Sequence, residues 1–481
     1  MSQPGGIPAA ATLAELRASG HVYRSVKEEI RRGLLARMRA GEDRFPGIIG
    51  FGQTVLPHLE RALLAGHDVI LLGERGQGKT RLIRSLAALL DEWTPAVAGC
   101  EISDHPYAPV CARCRRLAAE KGEDLPVAWR HRDERYGEKL ATPDTSVGDL
   151  IGDIDPVKVA EGRTLGDPET VHFGLVPRTN RGVFSLNELP DLAERIQVAL
   201  LNVLEERDIG VRGYALRLPL DLLLVASANP EDYTNRGRII TPLKDRFGAE
   251  IRTHYPATLE DELALIRQEA LVSWGGENDE AELPDHLVEV IARFTRLVRA
   301  SPAVDARSGV SARFAIAAAE GAAASAVRRA ALNGERETSL GSAEQPVARV
   351  CDLPVIVATL RGKVEFEVSE EGREQEVLDH LLRRAIAETF RGKLGSADLS
   401  GLLARFDEGG TVESGELVSA SELLQRIGEV PGLAKIMGRL GMDGGESFGH
   451  AAAAIEFALE GLYLMRRLSK DTVGGSAVYR T

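Results

Sequence analysis

Cysteine is scarce in this chain, and its few copies are unevenly placed. Only four occur in 481 residues, and three of them, Cys100, Cys111 and Cys114, lie close together in the sequence. Because the chain is large and begins without a signal-peptide pattern, a disulfide framework is not expected. The clustering favours a metal site instead.

Long apolar runs and a surplus of positive charge are also missing. No apolar run approaches the ~20 residues of a membrane-spanning helix, so no membrane contact is expected and the protein is predicted to be soluble and cytoplasmic. The net charge is −13 at pH 7, whereas domains that bind nucleic acids through bulk electrostatics are usually basic. A nucleic acid is therefore not expected as a partner.

What the chain does contain is a phosphate-binding motif. Residues 73–80 read GERGQGKT and match G-x-x-x-x-G-K-[ST] at every fixed position. The apolar run at 67–72 predicts a buried strand before the motif, and the helical spacing at 81–90 predicts a helix after it. Backbone N–H groups of such a loop bind phosphate oxygens. The predicted phosphate-binding residues are Gly73, Glu74, Arg75, Gly76, Gln77, Gly78, Lys79 and Thr80.

Two of these side chains have distinct predicted roles. The Lys79 ammonium is expected to lie against the β- and γ-phosphates of ATP, and the Thr80 hydroxyl to bind a phosphate-bound Mg²⁺. ATP and Mg²⁺ are therefore the expected cofactors.

A second apolar strand, at 181–189, ends in Asn187 and Glu188. A carboxylate at the end of a buried strand beside the phosphate loop is suited to orient and deprotonate the attacking water, so Glu188 is the predicted general base. The position before it usually holds an aspartate of the Mg²⁺ shell, and here it is Asn187. A neutral amide adds no charge, so weaker metal binding and slow hydrolysis are expected. The alternative is a chain that binds ATP and scarcely cleaves it.

Two further polar residues follow in the chain. Asn229 comes directly after an apolar strand at 222–228 and is predicted to position the attacking water. Arg246, in the run TPLKDRFG at 241–248, is predicted to be an arginine finger that acts on the neighbouring subunit. The alternative for Arg246 is a surface arginine paired with a nearby carboxylate. Residues 205–213, between the strands predicted at 181–189 and 222–228, are predicted to form a polar turn.

The cysteine cluster has the spacing Cys100-x4-His105-x5-Cys111-x2-Cys114. Three thiolates and an imidazole are ligands that Zn²⁺ takes tetrahedrally, and four protein ligands leave no open position, so a structural Zn²⁺ is predicted. His131 is a substitute for His105 as the fourth ligand. The alternative is a group of reduced, partly buried cysteines beside an unrelated histidine.

Taken together, the phosphate loop, the Asn187–Glu188 strand, Asn229 and the DRFG run resemble the AAA+ ATPase module over about residues 45–335. The run GLVPRTNRG at 174–182 resembles the magnesium-chelatase I-subunit and the related MoxR-type branch, in which an insertion precedes the acidic strand. Residues 142–180 suit that insertion. The resemblance implies an α/β fold with a P-loop core of parallel sheet and flanking helices, a helical lid, and a ring of identical subunits, commonly a hexamer.

The resemblance also implies roles for residues outside those motifs. Ile48 and Ile49 lie in an apolar turn similar to the one that contacts adenine. Arg313 matches the place of a second sensor arginine in the lid, with Arg307 as the fallback.

Four regions are expected. They are an amphipathic N-terminal helix region (1–44), the nucleotide-binding core (45–255) with the zinc knuckle (95–140) and the insertion (142–180), a helical lid (256–350) and a helical C-terminal extension (351–481). The apolar stripe of the N-terminal helix is expected to pack on its own domain, with docking on a neighbouring subunit as the alternative.

The leading predicted function is an ATP-driven motor, resembling the chelatase I-subunit or a MoxR-type chaperone, that remodels a partner with a von Willebrand A-type domain. One alternative is a transcriptional activator of the enhancer-binding type. Such activators carry a GAFTGA loop in the same insertion, and residues 157–165 do not contain it. The other alternative is an ATP-gated scaffold with weak hydrolysis.

Overall fold

The computed structural model of the chain describes residues 6–161, 168–205, 209–211, 214–216, 218–229, 238–272, 280–305, 309–333, 345–407, 409–442, 447–473 and 476–481. Contacts group the chain into two compact units, Met1–His254 and Tyr255–Thr481. Among the described residues, no helix combines the length and the apolar character needed to cross a membrane.

The first unit alternates helices and strands. Its described helices are α1 (Leu13–Ala18), α2 (Val26–Ala40), α3 (Val55–Leu64), α4 (Lys79–Ser85), α5 (Ala112–Lys121), α6 (Val147–Leu150), α7 (Pro156–Ala160), α8 (Leu175–Arg178), α9 (Glu194–Glu205) and α10 (Thr241–Arg246). Its described strands are β1 (Val69–Leu72), β2 (Trp93–Val97), β3 (Val127–His131), β4 (Tyr136–Leu140), β5 (Gly152–Ile154), β6 (Val171–Phe173), β7 (Gly182–Asn187), β8 (Ile209–Val211), β9 (Tyr214–Leu216), β10 (Leu222–Ala228) and β11 (Ala249–Arg252).

A parallel sheet with the strand order β11-β1-β10-β7-β4 forms the centre of this unit. Strands β1 and β7 are buried along their whole length, as expected for parallel strands covered on both faces. In the register, Leu72 lies beside Ala228 and Ala226 beside Leu186. The carboxyl ends of β1, β10 and β7 therefore meet at one edge of the sheet. The predicted α/β fold with a parallel sheet and flanking helices is confirmed.

Two hydrophobic clusters cover the two faces of the sheet. Val69 and Leu71 of β1 join the cluster that holds the buried side of α2, and Ile70 and Leu72 join the cluster on the other face. This division follows from the alternation of side chains along a strand. The apolar stripe of α2 thus packs within its own unit.

Short hairpins are added to this core. Strands β2 and β3 pair antiparallel, as do β5 and β6 within the insertion before the acidic strand. The prediction of a polar turn at 205–213 is wrong in part, because β8 pairs with β9. Strands of three residues are too short to show the alternation by which a strand is recognised.

The second unit is mainly helical. Its described helices are α11 (Leu259–Glu269), α12 (Asp285–Arg299), α13 (Ala312–Asn333), α14 (Pro354–Leu360), α15 (Glu374–Leu394), α16 (Ser400–Leu403), α17 (Ala420–Ile427), α18 (Leu433–Arg439) and α19 (Phe448–Leu464). Strands β12 (Val412–Ser414), β13 (Ser469–Val473) and β14 (Ser476–Arg480) form an antiparallel sheet, which was not predicted. One hydrophobic core runs from Ile266 to Tyr479, so the predicted lid and C-terminal extension share it.

A buried ion pair ties α2 to the segment before β4. Arg135 Nη1 donates to Glu29 Oε2 over 2.8 Å and Nη2 to Oε1 over 3.1 Å, while Arg135 Nε donates to the Arg181 carbonyl over 2.7 Å. The two side chains are only 2% and 4% exposed. Because both side chains are shielded from water, the charge of Arg135 is compensated mainly by Glu29, and that of Glu29 mainly by Arg135.

We expect Glu29→Ala to lower the free energy of unfolding of the full chain by about 3–5 kcal/mol, because it leaves the Arg135 guanidinium buried without its counter-charge. Denaturant titration measures the loss. Glu123→Ala is the matched control, since Glu123 pairs with Arg17 at the surface, where both side chains are more than half exposed, and exposed pairs contribute little. Equal losses in the two variants would contradict a special role for the buried pair.

Candidate functional site

The phosphate loop lies between β1 and α4, as predicted from its flanking patterns. Gly76 and Gly78 have φ values of 72° and 77°, which favour glycine over any other residue. A Cβ atom on Gly73 would lie 1.9 Å from Thr253 Oγ1, so the contact with Thr253, the residue after β11, also favours glycine there. Gln77 Oε1 accepts a hydrogen bond of 2.7 Å from the same Thr253 hydroxyl. The loop is thus held to the end of β11.

Lys79 folds back over this loop. Its ammonium donates to the carbonyl oxygens of Gly73 and Glu74, the latter over 2.8 Å, and the residue is only 7% exposed. A lysine in this position brings one positive charge to the concave side of the loop. Thr80, the next residue, is half-buried. Both side chains are therefore placed at the start of α4, where the sequence motif puts them.

Asn187 is held at the end of β7 by a polar network. Its Nδ2 donates to Glu138 Oε1 of the neighbouring strand β4 over 2.8 Å. Its Oδ1 accepts from the Ser227 hydroxyl of β10 over 3.2 Å, with Ser185 Oγ at 3.4 Å. The amide is 7% exposed. Its orientation is therefore fixed, with the nitrogen towards β4 and the oxygen towards β10.

Glu138 brings a carboxylate next to this amide. Arg84 of α4 donates to both of its oxygens, over 2.8 and 3.1 Å, and the Tyr136 hydroxyl donates over 3.0 Å. Burial opposes ionisation of Glu138, but the bonds from Arg84, Tyr136 and Asn187 outweigh it and hold the pKa of Glu138 below its usual value. A negative charge thus lies beside the neutral side chain that stands in the usual aspartate position.

Sequence reasoning missed Glu138 because it lies far from the acidic strand in the chain. The alternation of Tyr136 and Glu138 on a short strand is a weak signal that both face the same side. Only the pairing of β4 with β7, in which Glu138 lies opposite Ser185, brings it to the site.

Glu188 occupies an unusual backbone conformation. Its φ and ψ are 55° and 48°, in the left-handed region, which costs a residue with a Cβ on the order of 1 kcal/mol. Its backbone N–H faces Ser227 Oγ over 3.4 Å. Strain of this kind is common at functional sites.

The other predicted site residues lie in several places. Asn229 is buried at the carboxyl end of β10, and Ile48 and Ile49 are partly exposed between α2 and α3. Arg246 ends α10 and pairs with Glu205 at the end of α9, with 48% of the arginine side chain exposed. Arg313 is exposed in the first turn of α13, in the second unit. Arg307 lies outside the described residues.

The three clustered cysteines lie in the long connection of the β2–β3 hairpin. Cys100 follows β2, and Cys111 caps the N-terminus of α5 by accepting from the Cys114 N–H over 3.3 Å. Hydrogen bonds from the Cys111 and Cys114 thiols lower the pKa of Cys100 to about 3. The contact with Cys100 raises the pKa of Cys111 to about 12, and the contacts with Cys100 and Cys111 raise the pKa of Cys114 well above its usual value. The contacts among the three thiols thus favour the thiolate form at Cys100.

His105 is not the fourth member of this group, contrary to the expectation from spacing. The four side chains whose ligand atoms lie within 4.8 Å of one another are Cys100, Asp104, Cys111 and Cys114. His105 Nδ1 accepts from the Tyr107 N–H over 3.0 Å, and its Nε2 lies 3.2 Å from His21 Nε2. Burial lowers the pKa of His105 to about 2, with Arg181 and His21 adding to the effect.

His131, the substitute ligand, is also elsewhere. Its ring packs on Trp93 at a centroid distance of 5.0 Å, and its Nδ1 lies 3.1 Å from Asp133 Oδ2. Trp93 and His131 pair at one end of the hairpin, and Val97 and Val127 at the other, from which the cysteine segment leaves. The length of the strands, about 13 Å at ~3.3 Å per residue, separates His131 from the sulfur atoms.

Comparison with known proteins relates the chain to subunits of magnesium chelatase. It is 32% identical to the magnesium-chelatase 38 kDa subunit of Acidiphilium rubrum over 214 residues, which cover 42% of this chain and 55% of that protein. It is 29% identical to the subunit of the same name in Cereibacter sphaeroides over 256 residues, which cover 49% of this chain and 68% of that one. The chain thus spans about half to two thirds of the length of these relatives.

One solved structure that is similar to this chain is a chain of the complex between subunits BchI and BchD of magnesium chelatase, which is based on a single-particle cryo-EM reconstruction. The identity is 21%, the match covers 72% of this chain and 95% of that chain, and the TM-score is 0.36. No family model matches the chain.

We expect Asn187→Asp to place a second carboxylate against Glu138, which raises the folded-state pKa of one of the two groups. A carboxyl whose pKa is raised on folding contributes its stability below its unfolded pKa of about 4 and loses it as pH rises. The variant should therefore match the wild type near pH 4 and fall about 1–3 kcal/mol below it at pH 7. Thermal unfolding between these pH values measures the difference.

The double variant Asn187→Asp with Glu138→Gln is the control. It restores an amide–carboxylate pair with the partners exchanged, so its pH dependence should return to that of the wild type. A pH-independent loss in Asn187→Asp would contradict the contact between residues 187 and 138.

Proposed function

From its sequence relationship to the I subunit of magnesium chelatase, a branch of the AAA+ ATPases, we propose that this chain binds ATP with Mg²⁺ and couples its hydrolysis to the remodelling of a partner protein. The observation that carries the proposal is the sheet edge. There the loop with Lys79 follows β1, Glu188 follows β7 and Asn229 follows β10. A phosphate-binding loop, a base and a water-positioning amide are the groups that phosphoryl transfer to water requires.

Each of these residues has a role in the proposed reaction. Lys79 exchanges its contacts with the loop carbonyls for the β- and γ-phosphate oxygens, and Thr80 binds the metal ion. Glu188 takes the proton of the attacking water, which the Asn229 amide orients. Mg²⁺ supplies positive charge that offsets the charge on the phosphate oxygens. Glu138, beside Asn187, supplies the negative charge that the amide lacks. The hydroxyl oxygen of Thr80 and the carboxylate of Glu138 are oxygen groups of the kind that suits a hard cation.

The active form is proposed to be a ring of identical subunits, commonly six in the related branch, with nucleotide at each junction. Arg246 is exposed at the end of a helix and completes the pocket of the neighbouring subunit. Arg313 is the proposed nucleotide sensor of the second unit. The remodelled partner is proposed to carry a von Willebrand A-type domain, and a MoxR-type chaperone activity is the other form of the same function.

An ATP-gated scaffold is the second candidate. The observation that favours it is Asn187, since a neutral amide whose oxygen already accepts from Ser227 adds little to metal binding. In this case ATP binding alone drives assembly.

We expect Glu188→Gln to lower steady-state phosphate release at least about 100-fold, because a general base contributes roughly 10²–10⁴ in rate. Binding of a fluorescent ATP analogue should stay within a few-fold of the wild type. Asp191→Asn, which changes a carboxylate three residues further along, is the matched control and should leave turnover unchanged. Unchanged turnover in Glu188→Gln would remove the base from this position, and a wild type without turnover would favour the scaffold.

We expect Arg246→Ala to lower turnover by about 10³-fold, the lower end of the effect of an arginine finger. Lys244→Ala, two residues earlier on α10, is the control of equal charge and should change turnover little. The two inactive variants Arg246→Ala and Glu188→Gln are then mixed. A junction with Glu188 from one variant and Arg246 from the other is complete, so mixed rings regain turnover if the arginine acts in trans. Absence of any recovery, with mixing verified by subunit exchange, would exclude that role.

A further inference from the structure

Four buried side chains converge in the connection between β2 and β3 without a role in the proposed reaction. The sulfur atoms of Cys100, Cys111 and Cys114 and a carboxylate oxygen of Asp104 lie within 4.8 Å of one another. All four residues are between 0% and 7% exposed. A tetrahedral ion with bonds of about 2.3 Å to sulfur needs ligand atoms about 3.8 Å apart. No two of the four ligand atoms are therefore more than about 1 Å farther apart than that arrangement needs.

The Asp104 carboxylate is the observation that points to a ligand. Its Oδ2 accepts from the N–H groups of Val110 and Cys111, over 3.0 and 2.9 Å. Its Oδ1 is buried and has no hydrogen-bond donor among the described residues. A buried carboxylate oxygen without a partner is costly, and a bound cation removes that cost. The two N–H bonds to Oδ2 meanwhile fix the direction of the free oxygen.

The backbone around the cysteines also suits thiolates. The Asp104 N–H donates to Cys100 Sγ over 3.3 Å, and the Cys114 N–H donates to Cys111 Sγ over 3.3 Å. These bonds offset part of the negative charge that thiolate ligands carry. A disulfide between two of the cysteines would leave Asp104 Oδ1 buried without a partner. The arrangement therefore favours a metal ion over a disulfide.

We propose that Cys100, Asp104, Cys111 and Cys114 bind one structural Zn²⁺ ion, with Asp104 as the fourth ligand in place of His105. Soft thiolates select zinc over magnesium or calcium. Four protein ligands leave no open coordination position, so the ion is structural and not catalytic. This proposal is independent of the proposed ATP hydrolysis.

The ion ties the start of α5 to the end of β2. From α5, Arg116 Nη1 reaches Glu169 Oε1 over 2.5 Å, just before β6. The hairpin of β5 and β6 precedes the acidic strand in the chain. The proposed zinc ion thus holds the start of α5, the helix whose Arg116 contacts the β5–β6 hairpin through Glu169.

The first measurement is the metal content of the purified full-length chain, by mass spectrometry of the metals. We expect one zinc per chain. A zinc content below about 0.1 per chain with all thiols reduced, a disulfide among the three cysteines, or iron in place of zinc would each overturn the assignment.

The second measurement separates Asp104 from His105, two neighbouring residues in the chain. Apo-protein is titrated with Co²⁺, whose visible absorption reports tetrahedral thiolate coordination. We expect His105→Ala to bind cobalt as the wild type does. Asp104→Ala and the milder Asp104→Asn should bind at least about tenfold more weakly, with far-UV circular dichroism showing that they fold. Loss of binding in His105→Ala, with binding retained in both Asp104 variants, would overturn the ligand set.

Discussion

Burial of the parallel sheet on both faces governs where this chain can place its chemistry. Helices cover β1, β7 and β10, so the interior of these strands is apolar and charges are confined to the edge where the strands end. The phosphate loop, Glu188 and Asn229 lie there for that reason. The polar side chains that do enter the sheet, Ser185, Asn187 and Ser227, bond to one another and to Glu138. A charged residue at 187 would need a different set of neighbours.

Much of the site could be predicted because its signals lie within single short segments. The phosphate loop depends on spacing inside residues 73–80 and on the flanking patterns, and the α/β fold follows from the alternation of strands and helices. Both were predicted, and the fold is confirmed. The resemblance to the I-subunit branch is confirmed by the sequence matches to magnesium-chelatase subunits. Glu138 could not be predicted, because its role depends on strand order, with β4 beside β7.

The cysteine cluster shows a second limit of sequence reasoning. The spacing in the sequence identified the three thiols correctly as a group. The fourth member is Asp104 and not the adjacent His105, which the spacing had suggested. Ser103, directly before them, has a φ of 52°, so the backbone departs there from any regular periodicity. No periodicity predicts such a departure in an irregular connection. The short strands β8, β9 and β12 were missed for a related reason, since three residues carry too little pattern.

The pairing of Arg246 with Glu205 is compatible with its proposed role in a neighbouring subunit. The arginine side chain is about half exposed, and ion pairs at such positions contribute only about 0–1 kcal/mol. An arginine finger that raises the rate 10³–10⁵-fold stabilises the transition state by about 4–7 kcal/mol. At a junction of the proposed kind, exchange of Glu205 for phosphate oxygens would therefore be favourable in the transition state. In the single subunit, the Glu205 carboxylate holds the Arg246 guanidinium at the end of α10, and this contact would limit the side-chain entropy lost on closure of the proposed ring.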